Sequence, residues 1–243
     1  MRYAIISDIH GNVEALRAAL DDIDKRSIDM VICLGDIVGY YPDPEECVQL
    51  VRSRAAHCIA GNHDYAAIGL IDTRNFTYYA FVAMEWTKEK VSEESRQFLR
   101  SLPLSLEVDG LFFTHSSPSN PQEWAYVFPD SDDAIFEAFS ALKHRVNFIG
   151  HTHWPSIMIH DSEKISLHHE HSITVNGTHH YLINVGSVGQ PRDSDPRSSY
   201  GVYDTATGEY TEVRLAYDFT TTQKKIVENH LPLYLAERLE KGR

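Results

Sequence analysis

The first half of the chain alternates between short apolar runs and longer amphipathic segments. The runs RYAII, residues 2–6, and MVICL, residues 30–34, have the length and character of buried strands. Between them, apolar residues recur at helical spacing: Val13, Leu16, Ala19, Leu20 and Ile23. Strand, helix and strand in this order predict a βαβ unit.

More helices than strands follow this unit. The pattern predicts a helix opened by Pro44, a short strand in AHCIA, residues 56–60, a helix from about Thr77 to Lys90, and a helix in EESRQFLRSL that stops before Pro103.

From Leu104 onwards the pattern shifts toward strands and hairpins. We expect turns at Asp109-Gly110, Asn176-Gly177 and Thr207-Gly208, because such pairs favour tight connections. One helix near Asp132 to Leu142 and a single terminal helix from about Thr220 to Glu240 interrupt or follow these strands.

These elements predict an α/β protein in which two mixed sheets pack face to face with helices outside. Helical crossovers need parallel strands, whereas the late hairpins need antiparallel ones. No repeat or linker divides the sequence, so we expect one domain over residues 1–243. In such sheets, reactive loops gather at the carboxyl ends of the strands.

Composition excludes some classes of function. The formal net charge is −13 and no cluster of Lys and Arg offsets it, which disfavours broad binding to nucleic acids. No apolar run is long enough to cross a bilayer, and the first apolar run is too short for a signal peptide. Three cysteines fit no zinc motif, so we expect reduced thiols and a cytoplasmic location.

Residue types that commonly bind metals follow five of the apolar runs. In chain order, these positions carry Asp8 and His10, then Asp36, then Asn62 and His63, then His115, then His151 and His153. Carboxylate, imidazole and amide ligands suit Mn²⁺, Zn²⁺ or Fe²⁺, and the set contains too much nitrogen for Ca²⁺. Each motif alone is a weak signal, but five at strand ends predict a shared metal site.

The motifs DIH, GD, GNHD, the single His115 and GHTH resemble those of the calcineurin-like metallophosphoesterase superfamily. This resemblance implies a four-layer α/β/β/α sandwich and two divalent metal ions. It implies one ion held by Asp8, His10, Asp36 and His153, and a second held by Asp36, Asn62, His115 and His151. Asp36 would bridge the two ions.

The residues next to these ligands suggest further roles. His63 is the candidate acid that protonates the leaving oxygen or stabilises the transition state. Asp64 either orients the His63 imidazole or caps the helix that follows it. Arg192 and Arg197 either bind a substrate phosphate or pair with Asp193 and Asp195.

Five aromatic residues lie beside the motif loops, where they either stack on a nucleobase or pack in the interior: Tyr40, Tyr41, Trp124, Tyr126 and Trp154.

One departure from the family pattern indicates which subgroup of the superfamily the sequence resembles. Protein Ser/Thr phosphatases of the superfamily have an Asp-Arg-Gly after the Gly-Asp, whereas this chain has Gly39-Tyr40 in that region. The sequence is more similar to small prokaryotic phosphodiesterases, some of which resemble dinucleoside tetraphosphate hydrolases.

The resemblance implies hydrolysis of a small phosphodiester or phosphoanhydride, such as a nucleotide, through attack of a hydroxide that bridges the metals. Phosphomonoester hydrolysis uses the same machinery and is an alternative. A non-catalytic scaffold of the same fold is a second alternative, but such a scaffold lacks the histidine that corresponds to His63. The sequence does not predict the oligomeric state.

Overall fold

The computed structural model describes residues 1–243, which form twelve strands and eight α-helices. The strands are β1 (Arg2–Ile6), β2 (Met30–Cys33), β3 (His57–Cys58), β4 (Ser105–Val108), β5 (Leu111–Thr114), β6 (Val146–Ile149), β7 (Ser156–His160), β8 (Ile165–His168), β9 (Ser172–Thr174), β10 (His180–Asn184), β11 (Ser198–Asp204) and β12 (Glu209–Leu215). The helices are α1 (Val13–Ile23), α2 (Pro44–Arg54), α3 (Asn62–Ala67), α4 (Tyr78–Lys90), α5 (Glu93–Ser101), α6 (Asp132–Ser140), α7 (Phe219–Glu228) and α8 (Leu233–Lys241).

The strands form two mixed six-stranded sheets. The first sheet has the order β3-β2-β1-β11-β12-β9, and the second has the order β4-β5-β6-β10-β7-β8. In the first sheet, β1 is parallel to β2 and antiparallel to β11, with Tyr3 opposite Tyr203. The pairing confirms the predicted combination of parallel crossovers and antiparallel hairpins.

The sheets pack against each other through a layer of large apolar side chains. Ile5 and Tyr203 of the first sheet share a buried cluster with Phe113, Phe148 and Ile183 of the second. Phe113 and Phe148 stack with ring centroids 5.3 Å apart, and Tyr203 approaches the edge of Phe148 at 5.6 Å. Aromatic pairs in this geometry stabilise a core beyond the effect of buried area alone.

Helices cover the outer face of each sheet. The apolar face of α1 packs on the first sheet with residues of α2, α3, α4 and α5. Residues of α6 pack on the second sheet against Ile149, Met158 and Leu182. The layers therefore follow the order α/β/β/α, as predicted.

A separate helical cluster joins the C-terminal part of the chain to the Gly39-Tyr40 region. Residues of α4, α7 and α8 pack around Tyr40 and Tyr41, and Leu235 and Leu239 of α8 are buried there. This cluster places the last two helices beside the carboxyl ends of β1 and β2.

Two predicted elements were wrong. The terminal segment is not one helix, since α7 ends at Glu228, His230 has a φ of 56° and Pro232 precedes α8. Proline lacks the N–H that a continuous helix needs, and the residue before it avoids helical geometry.

The turn at Asn176-Gly177 does not close a hairpin. Instead, β9 pairs with β12 in the first sheet, whereas β10 lies between β6 and β7 in the second. The largely exposed β9 suits a sheet edge, and β10, buried from Tyr181 to Asn184, suits a central position. The segment between them therefore crosses from one sheet to the other.

None of the eight helices combines the length and the apolar character required to span a membrane.

Replacing Phe148 tests the importance of the layer between the sheets. We expect Phe148→Ala to lower the free energy of unfolding by about 3–5 kcal/mol, because it leaves a cavity among Phe113, Tyr203 and Tyr210. Phe136→Ala is the matched control, since Phe136 is 69% exposed. Urea denaturation followed by circular dichroism measures both, and equal effects would contradict this account of the core.

Candidate metal centre

The seven predicted ligands lie together at one edge of the two sheets. Asp8 and His10 follow β1, Asp36 follows β2, and Asn62 begins α3 after β3; His115 follows β5, and His151 and His153 follow β6. All seven are buried, although they are polar or charged. Buried groups of this kind are costly unless they are paired or bind metals.

Each of the four histidines donates a hydrogen bond to a backbone carbonyl. His10 Nδ1 lies 3.2 Å from Val38 O, His115 Nδ1 lies 2.9 Å from Leu34 O, and His153 Nδ1 lies 2.6 Å from Gln190 O. His151 uses its other nitrogen, with Nε2 2.8 Å from Trp124 O. Because a carbonyl only accepts, these nitrogens carry the proton, and the opposite nitrogen of a neutral ring presents a lone pair.

The lone-pair nitrogens face each other in two pairs. His10 Nε2 lies 3.0 Å from His153 Nε2, and His115 Nε2 lies 3.1 Å from His151 Nδ1. Two acceptors at this distance repel each other unless a cation or a proton lies between or beside them. The histidine geometry therefore fits two bound cations.

The carboxylates lie where they can serve both histidine pairs. Asp36 Oδ2 is 3.6 Å from His10 Nε2 and 3.4 Å from His115 Nε2, one residue of each pair. Asp8 Oδ1 is 3.1 Å from His153 Nε2 and has no hydrogen-bond partner. Asn62 Oδ1 is also buried without a partner. Unpartnered oxygens beside lone-pair nitrogens form a donor set that suits divalent Mn, Fe or Zn.

The two buried carboxylates of the cluster, Asp8 and Asp36, favour a positive charge beside them. Burial lowers the pKa of His10, His153 and His151, in the last case to about 3. Burial acts on His115 in the same direction, but Asp36 and Asp8 outweigh it and raise the pKa of His115 to about 9. Without metal, a proton on His115 thus partly compensates the two carboxylates.

Five of the seven residues have a left-handed backbone. The φ angles are 55° at Asp8, 54° at His10, 52° at Asp36, 68° at His151 and 60° at His153. This conformation costs a residue with a side chain roughly 1–2 kcal/mol relative to the right-handed region. Such strain clusters at functional sites, where the surrounding structure maintains it.

Asp64 contacts the backbone rather than His63. Its carboxylate accepts hydrogen bonds from the N–H groups of Asp36, Ile37 and Val38 at 2.8–3.3 Å, and from Gly61 N at 3.0 Å. The expectation that Asp64 orients the His63 imidazole finds no support, since His63 Nδ1 has no partner. Asp64 instead caps α3, which was the alternative, and ties the Asp36 loop to it.

His63 lies against the same cluster. Its backbone N–H donates to Asp36 Oδ1 at 2.8 Å, and its ring is 4.8 Å from that of His10. Gly39 makes room for this ring, because a Cβ at position 39 would lie 2.5 Å from His63 Nδ1. The glycine that departs from the family pattern therefore permits the placement of His63.

The loop from Val185 to Arg197 contacts two of the predicted ligands, Asp8 and His153. Ser187 Oγ donates to Asp8 O at 2.8 Å, and Gln190 O accepts the hydrogen bond from His153. Nothing in the sequence singles out Gln190, because a contact made by a backbone carbonyl does not depend on residue type.

The two arginines of this loop have different surroundings. Arg192 is half-buried and donates to Gln190 Oε1 at 2.7 Å. Arg197 is exposed and pairs with Asp195, with Nη2 and Oδ2 2.6 Å apart. Asp193 pairs with Arg214 rather than with Arg192. Of the two candidates for substrate binding, these contacts favour Arg192 and do not support Arg197.

The aromatic residues divide into two groups. Tyr40 and Tyr41 are buried, and Trp124 is partly buried. Tyr126 is 47% exposed and stacks on His151 with ring centroids 4.0 Å apart, and Trp154 is also exposed. Phe128 also stacks on Tyr126, with ring centroids 5.4 Å apart, so Tyr126 presents a partly exposed aromatic ring beside the cluster.

Gly150→Ala tests whether close packing holds Asp8 in place. A Cβ at position 150 would lie 2.1 Å from Ser7 Oγ and 2.6 Å from Asp8 Oδ2, so Asp8 must move. We expect metal affinity to fall about 10–100-fold, as for other residues that orient ligands. Gly177→Ala is the control, because its Cβ meets only the flexible Arg145 side chain at 3.2 Å. Metal analysis after dialysis measures both, and normal metal content in Gly150→Ala would refute the prediction.

Comparison with known proteins shows the family of the chain. The sequence model of the calcineurin-like phosphoesterase superfamily domain matches residues 1–208. An uncharacterized protein from Methanocaldococcus jannaschii is 42% identical over 244 residues, which cover 99% of this chain and 98% of that protein.

Two solved structures are similar over the full length. A metallophosphoesterase from Sphaerobacter thermophilus is 37% identical, with a TM-score of 0.87 over 100% of this chain and 99% of that one. A hypothetical protein from Pyrococcus horikoshii OT3 shares the fold at 21% identity, with a TM-score of 0.80 over 100% and 98% of the two chains. The chain thus belongs to the calcineurin-like phosphoesterase superfamily, and it is a phosphoric ester hydrolase.

Proposed function

We propose that the protein hydrolyses a phosphodiester or a phosphoanhydride, with two divalent cations held by the seven clustered residues. The observation that carries this proposal is the orientation of the four histidines, whose carbonyl contacts leave two facing pairs of lone-pair nitrogens. Asp36 would contribute to both cations, because its Oδ2 lies between the pairs.

The surroundings of the cluster support a substrate with groups on both sides of the phosphorus. Tyr126 stacks on His151, while Arg192 lies near His153 and Tyr40 lies near His10. An aromatic face suits a nucleobase or another flat leaving group, and a guanidinium suits an anionic oxygen. A nucleotide substrate would use both.

Different residues of the chain have different roles in the proposed reaction. Bound cations would supply charge stabilisation for the phosphoryl oxygens and a lowered pKa for an attacking water. His63 would protonate the leaving oxygen or donate a hydrogen bond to it, and its backbone contact with Asp36 supports this role. Asp64 keeps the Asp36 loop and the start of α3 in register, so that Asp36 and Asn62 face the same centre.

Three further features belong to this proposal. Mn²⁺, Fe²⁺ and Zn²⁺ suit the mixed donor set. The three cysteines are free, which suits the reducing cytoplasm. The pairing of β1 with β11 joins the two ends of the sequence in one sheet, which supports a single domain over residues 1–243.

The experiment compares bis(p-nitrophenyl) phosphate with p-nitrophenyl phosphate as substrates of Mn²⁺-loaded protein. We expect turnover that a chelator abolishes, with a preference for the diester. A preference for the monoester would favour phosphomonoester hydrolysis instead. Bound metal without turnover of either substrate, or of diadenosine tetraphosphate, would favour a scaffold.

His63→Ala separates metal binding from the chemical step. We expect kcat to fall about 10²–10⁴-fold, which is the usual effect of losing a general acid, while both metals remain bound. His169→Ala is the control, because His169 is exposed and belongs to none of the groups that could hold a metal ion. Turnover and metal content are measured on both variants, and unchanged turnover in His63→Ala would remove it from the mechanism.

A further inference from the structure

The ring of Tyr40 lies close both to the C-terminal helix and to two histidines of the candidate metal centre. Arg238 of α8 places its Cζ 5.9 Å from the centre of the Tyr40 ring. The Tyr40 ring in turn is 4.7 Å from that of His63 and 4.8 Å from that of His10. Arg238 lies outside residues 1–208, which match the family, so the family pattern assigns it no role.

A second arginine approaches the same ring. Arg192 has its Cζ 5.8 Å from the centre of Tyr40 and donates from Nη2 to the Tyr40 hydroxyl at 3.4 Å. Arg192 is the nearer of the two to the cluster, since its backbone N–H donates to His153 O at 3.3 Å. Both guanidinium groups thus lie close to the ring of Tyr40.

Neither guanidinium pairs with the side chain of an Asp or a Glu. Arg192 donates only to Gln190 and Tyr40, and Arg238 donates from Nε to the main-chain oxygen of Arg243, the last residue of the sequence. Most other arginines of this acidic chain form ion pairs with side chains, as Arg17 does with Glu46. Arg192 is therefore a half-buried cation without an anionic partner, and Nη1 and Nη2 of half-buried Arg238 are free to bind one.

The energetics of this pair favour an external anion. Removing a cation from water without a partner is costly, and two neighbouring cations also repel each other. Burial and the charge of Arg192 both lower the pKa of Arg238. A phosphate oxygen is the partner that guanidinium groups bind best, through paired hydrogen bonds.

We propose that Arg192 and Arg238 bind a second phosphoryl group of the substrate, adjacent to the one that is hydrolysed. The substrate is then a phosphoanhydride with at least two linked phosphates, such as a nucleoside oligophosphate, rather than a simple diester. This inference rests on the proposed function and makes Arg238 a residue that determines specificity. Tyr40 keeps the two guanidinium groups apart along the path of the phosphate chain.

The test compares two substrates in one variant. Arg238→Met keeps the apolar stem of the side chain and removes the charge. We expect the ratio of kcat/KM for diadenosine tetraphosphate to kcat/KM for bis(p-nitrophenyl) phosphate to fall about tenfold or more, the effect of losing a charged hydrogen bond. Arg238→Lys, which retains the charge, should recover part of that ratio.

The control removes a positive charge from the same helix at another position. Lys241 is exposed and its side chain forms no ion pair or hydrogen bond. Lys241→Met should therefore leave the ratio of the two specificity constants unchanged. An unchanged ratio in Arg238→Met would overturn the proposal. An equal loss for both substrates, accompanied by a lower melting temperature, would also overturn it, because it would show a structural role.

A binding measurement gives a readout that does not depend on turnover. Titration calorimetry with imidodiphosphate and with orthophosphate should show tighter binding of imidodiphosphate by the wild-type protein. The difference in affinity should shrink about tenfold in Arg238→Met. Equal affinities of the wild-type protein for the two anions would refute the second phosphate site.

The two measurements also separate this inference from the proposed function. Absence of turnover of every phosphoester by the wild-type protein would refute the proposed function, and the calorimetric comparison would still decide the role of Arg238.

Discussion

The centre of this protein depends on four hydrogen bonds from imidazole N–H groups to backbone carbonyls. The accepting carbonyls come from three loops, since Leu34 and Val38 both follow β2, whereas Trp124 follows β5 and Gln190 follows β10. Each histidine therefore ties its own strand end to another segment. The same bonds fix the tautomer of every ring and aim its free nitrogen inward. Structural cohesion and ligand orientation are therefore achieved by one set of contacts.

Backbone conformation at the site works against local preference. Five residues of the cluster have positive φ angles, a conformation that local sequence preference predicts for glycine. Neighbouring backbone bonds hold this geometry: Asp8 N donates to Gly35 O, and both Ile9 N and His10 N donate to Asp36 O. The loops after β1 and β2 thus hold each other in conformations that neither would maintain alone. Asp64 adds a third support, because it accepts hydrogen bonds from Asp36 N in the loop after β2 and from Gly61 N at the start of α3.

The sequence predicted the parts of the structure that depend on local pattern. The βαβ unit, the hairpins at Gly110 and Gly208 and the ligand-type residues at strand ends all follow from periodicity and residue type. The crossing of β9 and β10 to different sheets was beyond that reasoning, because a turn sequence does not specify which strands pair.

Contacts between distant segments account for the remaining differences. The sequence left two roles open for Asp64, orienting the His63 imidazole or capping a helix, because it did not show that backbone N–H groups far away in sequence bind its carboxylate. Arg238 could not be connected to the site at all, because only the packing of α8 on Tyr40 and Tyr41 brings it there.

The pairing of β1 with β11 has a consequence for synthesis on the ribosome. Tyr3 is made first, yet its partner across the sheet is Tyr203, and long-range pairing of this kind slows folding because a large loop must close first. Until β11 emerges, β1 has an open edge and Asp8 lacks the contact from Ser187. Until β11 is synthesised, the nascent chain therefore carries an incomplete site together with an unpaired strand edge, so the metal ligands are assembled in the same step that protects β1 from pairing with other chains.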